Sequence, residues 1–422
     1  MRVKNQRADN DRLPVKSSLD ELAFFGAAPL FHAALHVGRP NVCDELKLLE
    51  RMHEVLESRW LTNNGDQVKE FERRIAKTVG VRHCVAMCSG TTALEIAIRA
   101  AKLTGEVIVP SFTFVATAHA LQWQGITPVF CDIDDSFCLD PELVEELITP
   151  RTTGIIGVHL WGNTCNVEAL AAICGRHQLS LLFDAAHAFG CSRGGVMVGG
   201  FGRAEVFSFH ATKFVNTLEG GAVITDDSVL AESCRAMRNF GYSEDDRVLA
   251  LGINGKMNEI EAVMGLTSLD HMEEIIATNR NNYIEYQREL RDIPGVSLMD
   301  YRANERNNFQ YIVVEIGEDA RISRDLVQAL FQAEGILVRR HFHPGCHRME
   351  PYRSLYPGTG SRLPRTERAC ARMLCLPTGM AVGLEQIRTV CALLRFVVEN
   401  GPAIQARLER PLNTVAAIGS SE

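Results

Sequence analysis

Three short segments hold side chains that could do chemistry. In Leu182-Phe183-Asp184-Ala185-Ala186-His187 an apolar run ends on a carboxylate, with small residues and then a histidine. Ligands of α/β sheets bind beyond the C-terminal strand ends, so Asp184 stands where a ligand contact is expected; read alone, it could equally cap the following turn. Val206-Phe207-Ser208-Phe209-His210-Ala211-Thr212-Lys213 ends a second apolar run in hydroxyls and one lysine. Burial lowers the pKa of such an amine and makes it a nucleophile for a carbonyl carbon, whereas on an open loop it would be an ordinary surface charge. The third segment, Ala86-Met87-Cys88-Ser89-Gly90-Thr91-Thr92-Ala93-Leu94, reads as strand, hydroxyl-rich loop and helix start. Free N–H groups and the helix dipole favour a phosphate there, although Ser and Thr are also ordinary helix caps. An amine for an aldehyde, a carboxylate for a ring nitrogen and a cradle for a phosphate are together what pyridoxal 5'-phosphate requires.

These segments need a scaffold, and its pattern is visible. Apolar runs at 83–87, 106–110, 128–132, 154–160, 179–184, 206–210 and 221–225 alternate with helical stretches at 91–103, 116–124, 141–148, 167–177 and 228–239. Continuous apolar strands separated by helices predict an α/β fold with a mostly parallel sheet covered on both faces. Helical periodicity from 257 to 290 predicts one or two long helices leaving the sheet. Beyond 294 the elements mix: strands at 309–316 and 336–342, and helices at 323–334, 365–373 and 384–399, form a smaller α+β unit. The expected organisation is a flexible extension over 1–30, a large cofactor-binding domain over 31–285, a small domain over 286–410 and a flexible tail over 411–422.

Composition narrows the function classes. The chain has 422 residues, 46% of them apolar and 23% charged, the profile of a globular protein. Its net charge of −8 argues against a nucleic-acid surface. Thirteen scattered cysteines without a C-x-x-C pair read as buried thiols in a reducing compartment. The charged N-terminal stretch lacks the apolar core of a signal peptide, and no apolar run is long enough to span a bilayer, so the expected location is cytoplasmic. Gly252-Ile253-Asn254-Gly255-Lys256-Met257 departs from a phosphate loop at both ends, and no G-x-G-x-x-G follows a strand. His341, His343 and His347 lack carboxylate or cysteine companions in a metal-site spacing, so no metal is expected.

From about Val37 to Leu394 the chain closely resembles the DegT-like nucleotide-sugar aminotransferases, a pyridoxal-phosphate family of fold type I. The ordered motifs are Trp60-Leu61-Thr62-Asn63-Asn64-Gly65, Ser89-Gly90-Thr91, Val109-Pro110-Ser111-Phe112-Thr113-Phe114-Val115-Ala116-Thr117 and the aspartate and lysine segments, with Lys213 following Asp184 by 29 residues. The resemblance implies that Lys213 forms the Schiff base and then serves as the base, and that Asp184 pairs with the pyridine nitrogen. It places His187 against the ring hydroxyl, Phe114 on the ring face, and Gly90, Thr91 and Ser208 at the phosphate. Asn254 matches an asparagine inserted from the partner subunit, which implies a homodimer with shared active sites. Thr62, Asn63 and His343 are implied substrate contacts.

The implied reaction takes an amino group from an amino acid, L-glutamate by family habit, through pyridoxamine 5'-phosphate to a nucleotide-linked ketosugar. Leu218-Glu219-Gly220-Gly221 resembles the version found in relatives acting at C4 of 4-keto-6-deoxy sugars, with dTDP-4-keto-6-deoxyglucose as the expected substrate. A C3 ketosugar and a keto-cyclitol are the alternative acceptors, and a non-catalytic protein on the same fold is the alternative class. Related dehydratases carry His in place of the lysine, and Lys213 counts against that chemistry. Lys256 stands where many relatives have Arg and Asp66 where many have Pro, departures that touch substrate contacts rather than the cofactor site.

Overall fold

A computed structural model describes residues 15–243 and 245–409. The strands are β1 (Leu35–His36), β2 (His83–Met87), β3 (Glu106–Pro110), β4 (Thr127–Cys131), β5 (Thr152–Val158), β6 (Ser180–Asp184), β7 (Ser192–Arg193), β8 (Val196–Met197), β9 (Ala204–Ser208), β10 (Gly221–Thr225), β11 (Val296–Leu298), β12 (Ile312–Ile316), β13 (Ile336–Leu337) and β14 (Met373–Leu376). The central sheet has seven strands in the order β2-β10-β9-β6-β5-β3-β4. All its pairings are parallel except those of β10, which runs antiparallel to both β2 and β9. Both faces are covered, which is why these strands read as unbroken apolar runs; Val85, Val107, Ile156 and Val223 are each 0% exposed.

The helices are α1 (Glu45–Ser58), α2 (Asp66–Val79), α3 (Gly90–Ala100), α4 (Ala116–Gln122), α5 (Pro141–Val144), α6 (Val167–His177), α7 (Ser228–Met237), α8 (Glu259–Asp270), α9 (Met272–Leu290), α10 (Arg324–Ala333), α11 (Tyr352–Leu355), α12 (Pro364–Arg372), α13 (Leu384–Glu399) and α14 (Gly401–Glu409). Local capping starts many of them. The Asn166 side chain accepts from Ala169 N–H at α6, and Asn258 with Glu261 forms a reciprocal capping box at α8. The expected long helical stretch is thus two helices, α8 and α9. The C-terminal part adds a three-stranded antiparallel sheet, β11-β12-β14, with α10, α12 and α13 nearby.

Several expectations need correction. The strand expected over 336–342 is only Ile336–Leu337, paired parallel with Leu35–His36; the chain then turns toward the central sheet instead of continuing the strand. Helices α1 and α2 precede the first expected element. The boundary expected at 285 falls inside α9, which packs on α13 and sends the Tyr286 hydroxyl to Pro377 O at 2.8 Å. The eleven cysteines that are buried, like Cys43 and Cys88, are free thiols.

The expected flexible extension is also corrected over its described part. Leu22, Leu30 and Phe31 are buried in the core shared with the C-terminal unit. Ala23 N–H and Leu30 N–H donate to the fully buried Glu334 carboxylate at 2.7 and 2.9 Å, and Lys16 lies 3.4 Å from it. Residues 1–14 and the expected tail lie outside the described residues. Glu334→Ala leaves the buried Leu30 N–H and the part-buried Ala23 N–H without an acceptor and takes the counter-charge from Lys16, and is expected to cost about 3 kcal/mol of stability. A urea titration reads this directly; an unchanged midpoint would mean that the N-terminal segment contributes nothing to the fold.

Candidate functional site

The site is built at the C-terminal ends of β6 and β9 and at the two loops that begin α3 and α4. Gly221 opens β10 opposite both Met87 and Ser208, and this antiparallel register brings Ser208 to the start of α3. The approach is close: a Cβ on Gly221 would come within 2.5 Å of Gly90 N and Cα, and a Cβ on Gly90 within 3.0 Å of Ser208 Cβ. Ser89 caps α3 through Thr92 N–H at 3.1 Å. The Gly90 and Thr91 N–H groups begin the helix without intrahelical partners, and a Cβ on Gly90 would lie 3.3 Å from Ser208 Oγ. Glycine at 90 and at 221 lets the helix start and the strand ends approach this closely, and free helix-start N–H groups make a cradle of the kind that binds phosphate.

Asp184 is 5% exposed and doubly held. Thr117 Oγ1 donates to Oδ2 at 2.8 Å and Ala186 N–H donates to Oδ1 at 3.1 Å, while Thr113 Oγ1 lies 3.0 Å from Thr117 Oγ1. Burial raises its pKa, and the Thr117 and Ala186 hydrogen bonds and the Lys213 charge oppose the rise. A carboxylate so placed favours a proton-bearing cation beside it.

Lys213 lies in the turn after β9, its N–H donating to His210 O at 2.8 Å. Its amine donates to the Tyr311 hydroxyl at 3.3 Å. Burial lowers the amine from 10.5 to about 8, with the charge of Asp184 pulling the other way. His187 Nδ1 accepts from Trp161 N–H at 3.3 Å, which places the ring proton on Nε2. Burial first, then Lys213 and His341, hold this imidazole neutral, well below its ordinary pKa. Its ring packs on Tyr311 and Phe342 with centroids 4.5 and 5.8 Å apart.

The remaining expected residues are spread more widely. Phe114 follows β3 and packs near Phe342 with 58% of its surface exposed. Asn63, with Asn64, Arg238, Asn239 and Lys256, lines a separate cavity of about 630 Å³. Thr62 beside it is exposed, and Asn254 is exposed opposite Asn239. None of these three is brought to Lys213 within the chain. His343 Nδ1 lies 3.2 Å from Cys370 O and 3.4 Å from Arg324 Nη2. His341 faces Lys213 instead, and burial, then Lys213 and Arg339, push its pKa down to about 4. Tyr311 and His341 are the two site residues the sequence reading missed. The histidine run offered a signal for His341, but extending a strand through it hid which ring faces inward; Tyr311 carried no local signal.

Residues 43–395 match the DegT/DnrJ/EryC1/StrS aminotransferase family. The chain belongs to this family. Its members are pyridoxal-phosphate-dependent aminotransferases, and the chain is one of them. It is 32% identical to the dTDP-4-amino-4,6-dideoxy-D-glucose transaminase of Shigella dysenteriae, covering 86% of this chain and 99% of that one. It is 35% identical to the GDP-perosamine synthase of Caulobacter vibrioides, covering 72% and 83%. Among solved structures, DesI in the presence of its TDP-sugar product superposes with a TM-score of 0.88 at 49% identity, covering 93% of this chain and 100% of that one. The DegT family's cofactor fits this site: the glycine cradle, the buried strand-end carboxylate and the desolvated amine supply its three needs in one place.

A pH prediction follows from Lys213. Only the unprotonated amine attacks an aldehyde, so capture of added pyridoxal phosphate by the cofactor-free chain is expected to quicken through about pH 8. Stopped-flow absorbance measures this, and a midpoint near that of a free lysine would place the amine in water. Among the described residues no helix is long and apolar enough to cross a membrane.

Proposed function

We propose that the chain transfers an amino group from L-glutamate to C4 of a nucleotide-linked 4-keto-6-deoxy sugar, with dTDP-4-keto-6-deoxyglucose as the substrate. The observation that carries this reading is the site geometry, Lys213 lying between Asp184 and Tyr311, in a chain 49% identical to a sugar-nucleotide-binding DesI. When bound, pyridoxal phosphate supplies an aldehyde to hold the migrating amine and a ring to accept electrons. Lys213 holds the cofactor and then moves a proton to and from the substrate carbon, a task suited to an amine with a pKa of about 8. Asp184 keeps a proton at the ring nitrogen, fixed in direction by Thr117 and Ala186. His187 donates Nε2–H toward the ring hydroxyl. Gly90, Thr91 and Ser208 hold the phosphate, Phe114 covers the ring face, and His341 with Tyr311 borders the side where substrate enters.

The active unit is a homodimer in which Asn254 reaches the other protomer's phosphate. Supporting this, Val248, Leu249, Leu251 and Ile253, at 61%, 65%, 71% and 43% exposure, put an apolar run beside Asn254 that calls for cover. The same interface would bring Thr62 and Asn63 to the partner's substrate. Incubation with dTDP-4-keto-6-deoxyglucose and L-glutamate, with the product's amine located by NMR, tests the reading. An amine at C4 is expected. Turnover only with a C3 ketosugar or a keto-cyclitol would reassign the acceptor, and no turnover with any of them would overturn the activity.

A further inference from the structure

His347 has no part in the amino-group chemistry, yet it is 4% exposed and bonded at every polar atom of its ring. Its Nδ1 lies 2.7 Å from Ser111 Oγ and its Nε2 2.7 Å from Glu367 Oε1. Its own N–H donates to Ser111 Oγ at 3.0 Å, and Arg348 Nε donates to the same Glu367 oxygen at 2.6 Å. The preceding residue adds two more links: Cys346 N–H donates to Ser111 O at 2.9 Å and Cys346 Sγ lies 3.4 Å from Thr113 O. Two glycines make the room. A Cβ on Gly345 would sit 3.0 Å from the His347 ring, and one on Gly360 3.0 Å from Glu367 Oε1 and 3.4 Å from the ring.

Serine, histidine and glutamate are the residue types of a hydrolytic triad, but Ser111 is 0% exposed and its oxygen already accepts a backbone N–H. No substrate carbonyl can reach it, so covalent catalysis is excluded and another role must explain the network. What the network joins suggests that role. Ser111 follows β3 and opens the loop of Thr113 and Phe114, and Thr113 continues through Thr117 to Asp184. His347 closes the turn of His341 and Phe342, and the Phe342 ring packs on Phe112, Phe114 and His187 with centroids 6.1, 6.4 and 5.8 Å apart. One imidazole therefore ties a wall made by the central sheet to a wall made by the C-terminal unit, with α12 behind it.

We propose that Ser111, His347 and Glu367 form a positioning relay that sets the spacing between the Phe114 wall and the His341 wall of the pocket, a reading that rests on the aminotransferase function above. The relay works through hydrogen-bond geometry, since a small displacement of a group that orients the reacting atoms can cost about a hundredfold in rate.

The test compares Ser111→Ala, Glu367→Ala and Glu367→Gln with the wild-type holoenzyme. Three quantities are read: the visible circular dichroism of bound pyridoxal phosphate, kcat and KM with L-glutamate and ketosugar, and the unfolding midpoint. Ser111→Ala and Glu367→Ala are expected to bind cofactor with an altered dichroic band and to lose about tenfold to a hundredfold in kcat, with the KM for L-glutamate unchanged. Glu367→Gln keeps an oxygen for His347 and is expected to restore band and rate. If Glu367→Ala lowers only the unfolding midpoint while band and kcat stay wild-type, the relay is structural and the proposal fails. It fails also if Glu367→Gln behaves as Glu367→Ala does. Wild-type protein that neither holds the cofactor nor turns over would overturn the functional reading itself, an outcome distinct from both.

Discussion

Lys213→Ala is expected to lower transamination by on the order of 10⁴-fold, the upper range for loss of a positioned acid–base group. Two functions vanish together: the amine that holds the cofactor, and the base that moves the substrate proton. The protein should nevertheless fold. Among the described residues the Lys213 amine has one hydrogen bond, to the Tyr311 hydroxyl, and after its removal the buried Asp184 carboxylate still accepts from Thr117 Oγ1 and Ala186 N–H. The unfolding midpoint of the variant should therefore lie close to wild type while single-turnover reaction with L-glutamate, followed by cofactor absorbance, all but stops. Adding a small primary amine should return part of the rate, since only the proton carrier is then supplied from solution. A variant that transaminates at the wild-type rate would remove Lys213 from the mechanism.

Asp184→Asn should produce the second largest effect, a loss of about 10²–10³-fold in the same half-reaction. An amide of equal shape can keep its oxygen for Ala186 N–H and turn its NH2 to Thr117 Oγ1, which then accepts instead of donating, so local geometry survives. What disappears is the negative charge that holds a proton on the cofactor's ring nitrogen. Breaking a buried ion pair by removing one partner typically costs about 3–5 kcal/mol, because the other charge is left without compensation. Cofactor uptake should persist, held by Lys213 and by the cradle of Gly90, Thr91 and Ser208. Titration with pyridoxal phosphate beside the single-turnover rate separates the two effects. Equal loss of binding and of rate would mean that Asp184 anchors the cofactor rather than tuning it.

The two predictions differ in what they remove, and the structure explains why both residues sit where they do. Asp184 ends β6 and Ser208 ends β9, neighbouring parallel strands in the sheet centre, with Lys213 one turn beyond. Parallel strands aim their C-terminal ends at one edge, so groups distant in the chain converge there without any special loop.

This convergence was readable from residue order alone, because its causes are local. Unbroken apolar runs mark strands covered on both faces, a residue at the end of such a run lies at the sheet's edge, and Ser89-Gly90-Thr91 caps the helix it precedes. Asp184, Ser208, Lys213 and the α3 start all follow from contacts within a few residues of chain. Other features depend on partners hundreds of residues away. Nothing near Glu334 foretells that it holds the amides of Ala23 and Leu30, and nothing near Ser111 foretells His347. Tyr311 looked like the edge of an ordinary strand until packing set its hydroxyl on Lys213. His341 and His343 are alike as residue types; a turn in place of the expected strand chose which of them faces the amine. The tautomer of His187 was likewise settled by the N–H of Trp161, from a different loop. Local sequence sets which groups a strand end carries, through steric and burial preferences that act at short range. Which other groups meet them, and with which proton in place, is decided by long-range packing, where one residue's register determines another's neighbours.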